Sequence, residues 1–195
     1  MIRRTLKLKG GVTLRGQGYG SSPLAIKLDE GGTIISYCGD DYAITVAGHS
    51  ASLENLAVYD TPYPGKCVSR CFKFYFQRKQ NIHVNGKANS DCSSLKAKGG
   101  ILIDADAKLV ESITMRNILL YWFMGGTSLT LRSQNAGGIA YASFENLRVR
   151  HAKVGIHLVA KDSQSFVNSN TFHDGAISGG IDDVAVLAEG PGKFV

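Results

Sequence analysis

Asp104 and Asp106 are the residues best spaced to do chemistry. They lie two apart at the end of the alternating stretch Gly100-Ile-Leu-Ile-Asp-Ala-Asp106, so a strand there puts both carboxyl groups on one face. Two such groups can flank a glycosidic bond as acid and partner, ~5 Å apart for retention and ~6.5–9.5 Å for inversion. They can also hold a hard cation such as Ca²⁺. The plain alternative is a solvated strand end. Asp40-Asp41 is followed by Gly48-His-Ser50, but His49 comes too soon after Asp41 to stand beside it on a neighbouring strand. Asp182-Asp183, preceded by His173 and Asp174, fails the same test. For binding sugar hydroxyls or carboxylates the candidates are His83, Arg148 and Arg150. The first two share an outward position in a recurring phrase and Arg150 extends that face; surface decoration is the plain alternative. The histidines show no metal-ligand spacing, and no metal site is expected.

The phrase that must position these residues is Ser143-Phe-Glu-Asn-Leu-Arg-Val149. It recurs as Ser52-Leu-Glu-Asn-Leu-Ala-Val58, Lys79-Gln-Asn-Ile-His-Val84 and Thr114-Met-Arg-Asn-Ile-Leu-Leu120, and loosely as Asn168-Ser-Asn-Thr-Phe-His173. Aligned on Asn55, Asn81, Asn117, Asn146 and Asn170, the residues one and three places later are mostly Leu, Ile or Val, and the residue between them varies. That is an inward–outward–inward strand entered through Asn. The copies recur at a variable interval within the roughly 20–50 residues of a solenoid repeat, which predicts stacked coils with added surface loops. Asn suits such a bend because it tolerates the left-handed conformation, and stacked amides can bond from coil to coil. Five ordinary strands of a sandwich are the alternative, but nothing in a sandwich would keep one residue type at one register.

Between the phrases fall glycine-opened strands at Gly100–Ile103, Gly126–Leu131, Gly138–Tyr141 and Gly155–Leu158, and a last one at Gly180–Leu187. Earlier, short strands are expected at Leu6–Lys9, Val12–Arg15, Ala25–Leu28, Thr33–Ser36, Tyr42–Val46 and Phe72–Phe76, with a protruding loop from Asn85 to Lys98. Gly16-Gln-Gly-Tyr-Gly20 follows a strand, but no helix pattern follows it, as a phosphate-cradling loop would need.

Composition narrows the function classes. The 195 residues suffice for one domain, 1–195, and 44% apolar against 19% charged residues fits a folded chain. No apolar run reaches the ~20 residues of a membrane helix, Met-Ile-Arg-Arg does not lead into a signal-peptide core, and no membrane partner is expected. The net charge of +6 admits an acidic partner, but the charges are scattered, so nucleic acid is not expected. Cys38, Cys67, Cys71 and Cys92 match no zinc or redox framework; two disulfides are allowed, and free thiols are the plain expectation.

Leu6-x-Leu8-x2-Gly11-Val-Thr-Leu-Arg-Gly-Gln-Gly18, with the Asn phrases and the Gly-Ile-x-Leu strands, resembles the pectate-lyase superfamily of right-handed parallel β-helices. The likeness is strongest to the branch of polygalacturonase-related proteins and phage tailspikes. It covers nearly the whole chain and implies a fold, all-β, a single-stranded right-handed parallel β-helix, rather than a reaction. The family's capping helix is not evident before Leu6, nor a cap after Ala188, so the chain is expected to be a piece of a longer protein or an uncapped module within an assembly. Polygalacturonases place Asp-Asp on one coil and Gly-His-Gly on the next; the Asp41 and His49 spacing does not reproduce this. A pectate-type lyase needs Ca²⁺ held by clustered acids near a basic residue, and register places no acids beside Arg148 and Arg150. The resemblance implies first a tailspike- or fibre-like module that recognises a surface polysaccharide, on a virion or outside the cell, as a homotrimer or bound to other virion proteins. The alternatives are a polysaccharide hydrolase or lyase with a groove site, requiring no cofactor unless Ca²⁺ serves a lyase, and a purely structural virion or surface protein.

Overall fold

Wherever apolar and polar side chains alternate, extended backbone buries one set and leaves the other outside. The computed structural model describes residues 2–18, 32–60 and 97–194. Along them run β1 (Leu6–Leu8), β2 (Thr13–Arg15), β3 (Ile34–Tyr37), β4 (Tyr42–Val46), β5 (Ser52–Asp60), β6 (Gly99–Asp106) and β7 (Leu109–Glu111). Then follow β8 (Thr114–Gln134), β9 (Gly138–Ala140), β10 (Ser143–Ala160), β11 (Phe166–Asn168), β12 (Thr171–His173), β13 (Ala176–Glu189) and β14 (Lys193–Phe194). No described residue is helical. The chain is all-β, and its paired strands run parallel, in one large sheet and a second sheet of β7, β9, β11 and β14.

Register turns this topology into columns of like residues. Ile44 lies opposite Ile101, Ile101 opposite Leu129, and Leu129 opposite Ile156. Leu53, Met115, Phe144 and Phe172 form a second column, in which the last two rings stack at 4.4 Å. Leu56, Ile118 and Leu147 form a third. Apart from Phe172, which is 43% exposed at the end of its column, these residues belong to one buried apolar cluster. Gly138 lies under the Phe166 ring, where a Cβ would collide, which explains why β9 opens on glycine.

The long strands β8 and β10 are short straight pieces joined by left-handed residues: Asn117 and Trp122 in β8, Asn146 and His151 in β10. Asn55, Asn117 and Asn146 have φ of 57°, 53° and 49°, and their amides form the expected ladder. Asn146 Nδ2 donates to Asn117 Oδ1 at 3.0 Å, and Asn117 Nδ2 to Asn55 Oδ1 at 2.9 Å. The inward positions after each Asn are buried, as alternation predicts: Leu56, Val58, Ile118, Leu120, Leu147 and Val149.

Two copies of the phrase depart from expectation. β5 pairs directly with β8, so Asn55 bonds to a residue 62 positions on; Asn81 lies outside the described residues. The loose copy is misaligned. Thr171 stands opposite Ser143, which gives the place of Asn146 to Asp174, at φ 52°. Asp shares the short polar side chain that makes left-handed backbone tolerable. Asn170 instead accepts the Ala142 N–H at 2.9 Å. The outward position after the bend is not uniformly polar either: Ala57 and Leu119 are fully buried while standing apart from the main apolar cluster. Cys38 is disulfide-bonded, against the expectation of free thiols. The expected strands at Ala25–Leu28 and Phe72–Phe76, and the other three cysteines, fall outside the described residues.

Candidate functional site

β6 does put Asp104 and Asp106 on one face, with buried Ala105 between them. Both carboxylates are engaged. Arg132, opposite Asp104 on β8, donates from Nε and Nη2 to the two Asp104 oxygens at 2.9 Å each. Asn135 donates to Asp106 Oδ1 at 2.7 Å. The bidentate guanidinium occupies the Asp104 oxygens that a substrate or a cation would use. No group of three or more acidic, His or Cys residues among those described is placed to hold a metal ion. Asp41 and His49 find separate partners, Lys98 at 3.5 Å and Glu111 at 3.9 Å, and Asp183 lies 3.7 Å from Lys153.

The face just beyond the Asn bend is built differently. Its outward column runs Ser36, Tyr59, Tyr121, Arg150, Ser178; beside it Ala57 and Leu119 lead to Arg148. Tyr121 is the hub. Its ring centre lies 5.2 Å from Tyr59, 5.2 Å from Trp122 at 20°, and 5.3 Å from His151, which meets it edge-on at 82°. Trp122 and His151 each follow a paired residue, Tyr121 and Arg150, and both have positive φ, 69° and 52°. A bulky residue in that conformation is an outlier, and such backbone strain, of order 1–3 kcal/mol, gathers at functional sites.

Arg148 Nε donates to Asn146 Oδ1 at 3.1 Å, which fixes its stem. Among the described residues no carboxylate forms an ion pair with Arg148 or Arg150. Burial, and then the charge of Arg150, hold the His151 imidazole below its ordinary value against an opposing pull from Asp182, so it is neutral at pH 7. Among the described residues the site therefore sets partly buried aromatic rings beside two guanidinium groups that form no ion pair.

No family model, curated protein or solved structure matches the chain. The site must be read from its own chemistry. Aromatic rings present apolar faces to the C–H faces of sugars, and guanidinium groups chelate carboxylates and hydroxyl pairs. Rings already held by one another lose little freedom on binding. Arg148 and Arg150, expected from sequence, belong to this face; His83 lies outside the described residues. Tyr121, Trp122 and His151 were not anticipated. Aromatic residues within a strand ordinarily read as core, and only register shows these three gathered beside the arginines.

Asp60, at the end of β5 and one residue beyond Tyr59, is a further unanticipated group. It is 2% exposed, its Oδ2 has no hydrogen-bond partner among the described residues, and burial pushes its carboxyl up to about 7 against a bond from the Ala97 amide.

Proposed function

We propose that this chain is a polysaccharide-recognition module, and that Arg148 and Arg150 with Tyr121, Trp122 and His151 form its binding face. The observation that carries the reading is two guanidinium groups without carboxylate partners among the described residues, beside a strained, mutually packed aromatic group. The same reading takes the successive sets of parallel strands as coils of a single right-handed parallel β-helix. Direct pairing between residues 28 or 29 positions apart, and the bonded Asn column, support that geometry. A tailspike- or fibre-like protein of a virus or phage, homotrimeric or joined to other virion proteins, is the setting that the family resemblance suggests. The Cys38 disulfide favours an oxidising exterior.

The enzyme alternative has one observation on its side. A carboxyl held near neutrality, as Asp60 is, has the protonation a general acid needs. Its burial argues against contact with a polymer, and Asp104, the other candidate, is held by Arg132. The two readings separate in one experiment. The protein is incubated with a panel of bacterial and algal polysaccharides, and retention, new reducing ends and unsaturated products are followed together. Retention without new ends is the expected result. New reducing ends abolished by D60N would make it a hydrolase, and unsaturated products a lyase.

A further inference from the structure

The binding face is asymmetric along the stacking direction. Tyr59 and Tyr121 occupy successive strands of one column, and Arg150 occupies the next. Arg148 holds the equivalent place beside it, after Ala57 and Leu119. Aromatic rings thus come first and positive charge last, within three adjacent strands. Neighbouring strands lie ~4.8 Å apart, close to the length of one pyranose in an extended polymer. A glycan lying across the strands would set successive sugars against successive members of the column.

Among the described residues, no carboxylate balances the charge at the far end. Three other described guanidinium groups on these strands are paired: Arg15 with Glu54 and Arg116 with Glu145, each at 2.7 Å, and Arg132 with Asp104. Arg148 and Arg150 lie two apart on one strand, with side chains on the same face ~7 Å apart. Burying them under a neutral ligand would cost desolvation without return, whereas an anionic group would supply the missing partner. The rings around Tyr121 make the opposite demand, since they favour uncharged C–H surface.

We infer that the glycan bound here is mixed, with an acidic sugar at the Arg148–Arg150 end and neutral sugars over Tyr121 and Trp122; this rests on the polysaccharide reading above. Neither a uniformly neutral nor a uniformly acidic polymer satisfies both halves of the face.

Trp122 is the chain's single tryptophan, so its fluorescence reports on the face directly. The full chain is titrated with hyaluronan oligosaccharides, in which acidic and neutral sugars alternate, with their carboxyl-reduced form, with malto-oligosaccharides and with oligogalacturonate. The expected result is a Trp122 response to hyaluronan oligosaccharides with affinity about ten-fold or more above the carboxyl-reduced form. That advantage should vanish in R148A/R150A, whose side chains lie on the outward face of the strand rather than in the apolar cluster. Malto-oligosaccharides or the reduced form binding as tightly as hyaluronan would overturn this inference and leave the polysaccharide reading standing. Oligogalacturonate binding tightest would overturn the neutral half of it. No response to any probe, with no retention on the wider polysaccharide panel, would overturn the reading itself.

Discussion

The two sides of the Asn bend are made from the same strands, yet they treat charge in opposite ways. Before the bend the outward column reads Arg15, Glu54, Arg116, Glu145, His173, and each arginine meets a glutamate at 2.7 Å. Glu54 is held below the usual carboxylate range, first by the Arg15 bond and then by Ser52. Alongside runs a column of hydroxyls, Thr13, Ser52, Thr114, Ser143 and Thr171. Beyond the bend, a few residues on, Arg148 and Arg150 have no carboxylate partner among the described residues, and aromatic rings lie nearby. Charge that is neutralised within the chain does structural work. Charge left open, where the backbone is also strained, is available to a partner. The comparison separates surface decoration from a binding face more sharply than a census of charged residues.

The largest effect should come from what both sides share. Leu147, the first residue after the bend, faces the apolar cluster. Leu147→Asp would bury an unpaired charge at a cost comparable with a whole domain's stability of ~5–15 kcal/mol, and far-ultraviolet circular dichroism should show a chain that no longer folds. A folded Leu147→Asp would break the register on which both columns depend.

Asp60 marks the second side and should give a pH signature. Its folded-state value of about 7 lies above its unfolded value, so the folded protein keeps a proton that the unfolded chain releases. Stability should therefore be highest at about pH 4 and fall by a few kcal/mol as pH rises to about 7, from this group alone. Denaturant melts of wild type and Asp60→Asn should diverge across that window, with the variant flatter. Parallel curves would mean that Asp60 ionises freely.

Asn117 is the hinge between the sides, bonded to the asparagines above and below. Asn117→Ala should cost about 2–3 kcal/mol, from lost bonds and left-handed strain, and Asn117→Gly less, because glycine relieves the strain. Equal losses would mean that the backbone conformation contributes nothing. The smallest effect belongs to the paired side: Arg116→Ala should change stability by at most ~1 kcal/mol, since exposed ion pairs contribute little.

How much of this was legible depended on whether a residue's role is local. The Asn bends at 55, 117 and 146 could be read because asparagine tolerates left-handed backbone and recurs there at one register. The fourth bend was misplaced because Asp174 serves as well, and Asn170 lay close enough to mislead. The shared face of Asp104 and Asp106 follows from period-two alternation. Their partners do not, since Arg132 stands 28 positions away and meets Asp104 only through register. Arg148 was legible as outward. The aromatic cluster was not, because Tyr121, Trp122 and His151 converge through two bends and two strands. The Asp60 shift depends on burial, which alternation alone does not reveal.

The most direct test sets the two sides against each other in one binding experiment. R148A/R150A and R15A/R116A each remove two positive charges, so net charge is matched, and each is compared with wild type for retention on the polysaccharide panel. The account predicts that R148A/R150A loses binding while R15A/R116A keeps it, with both proteins folded. Equal loss in both variants would reduce the attraction to overall charge, and full retention by R148A/R150A would place the binding face elsewhere.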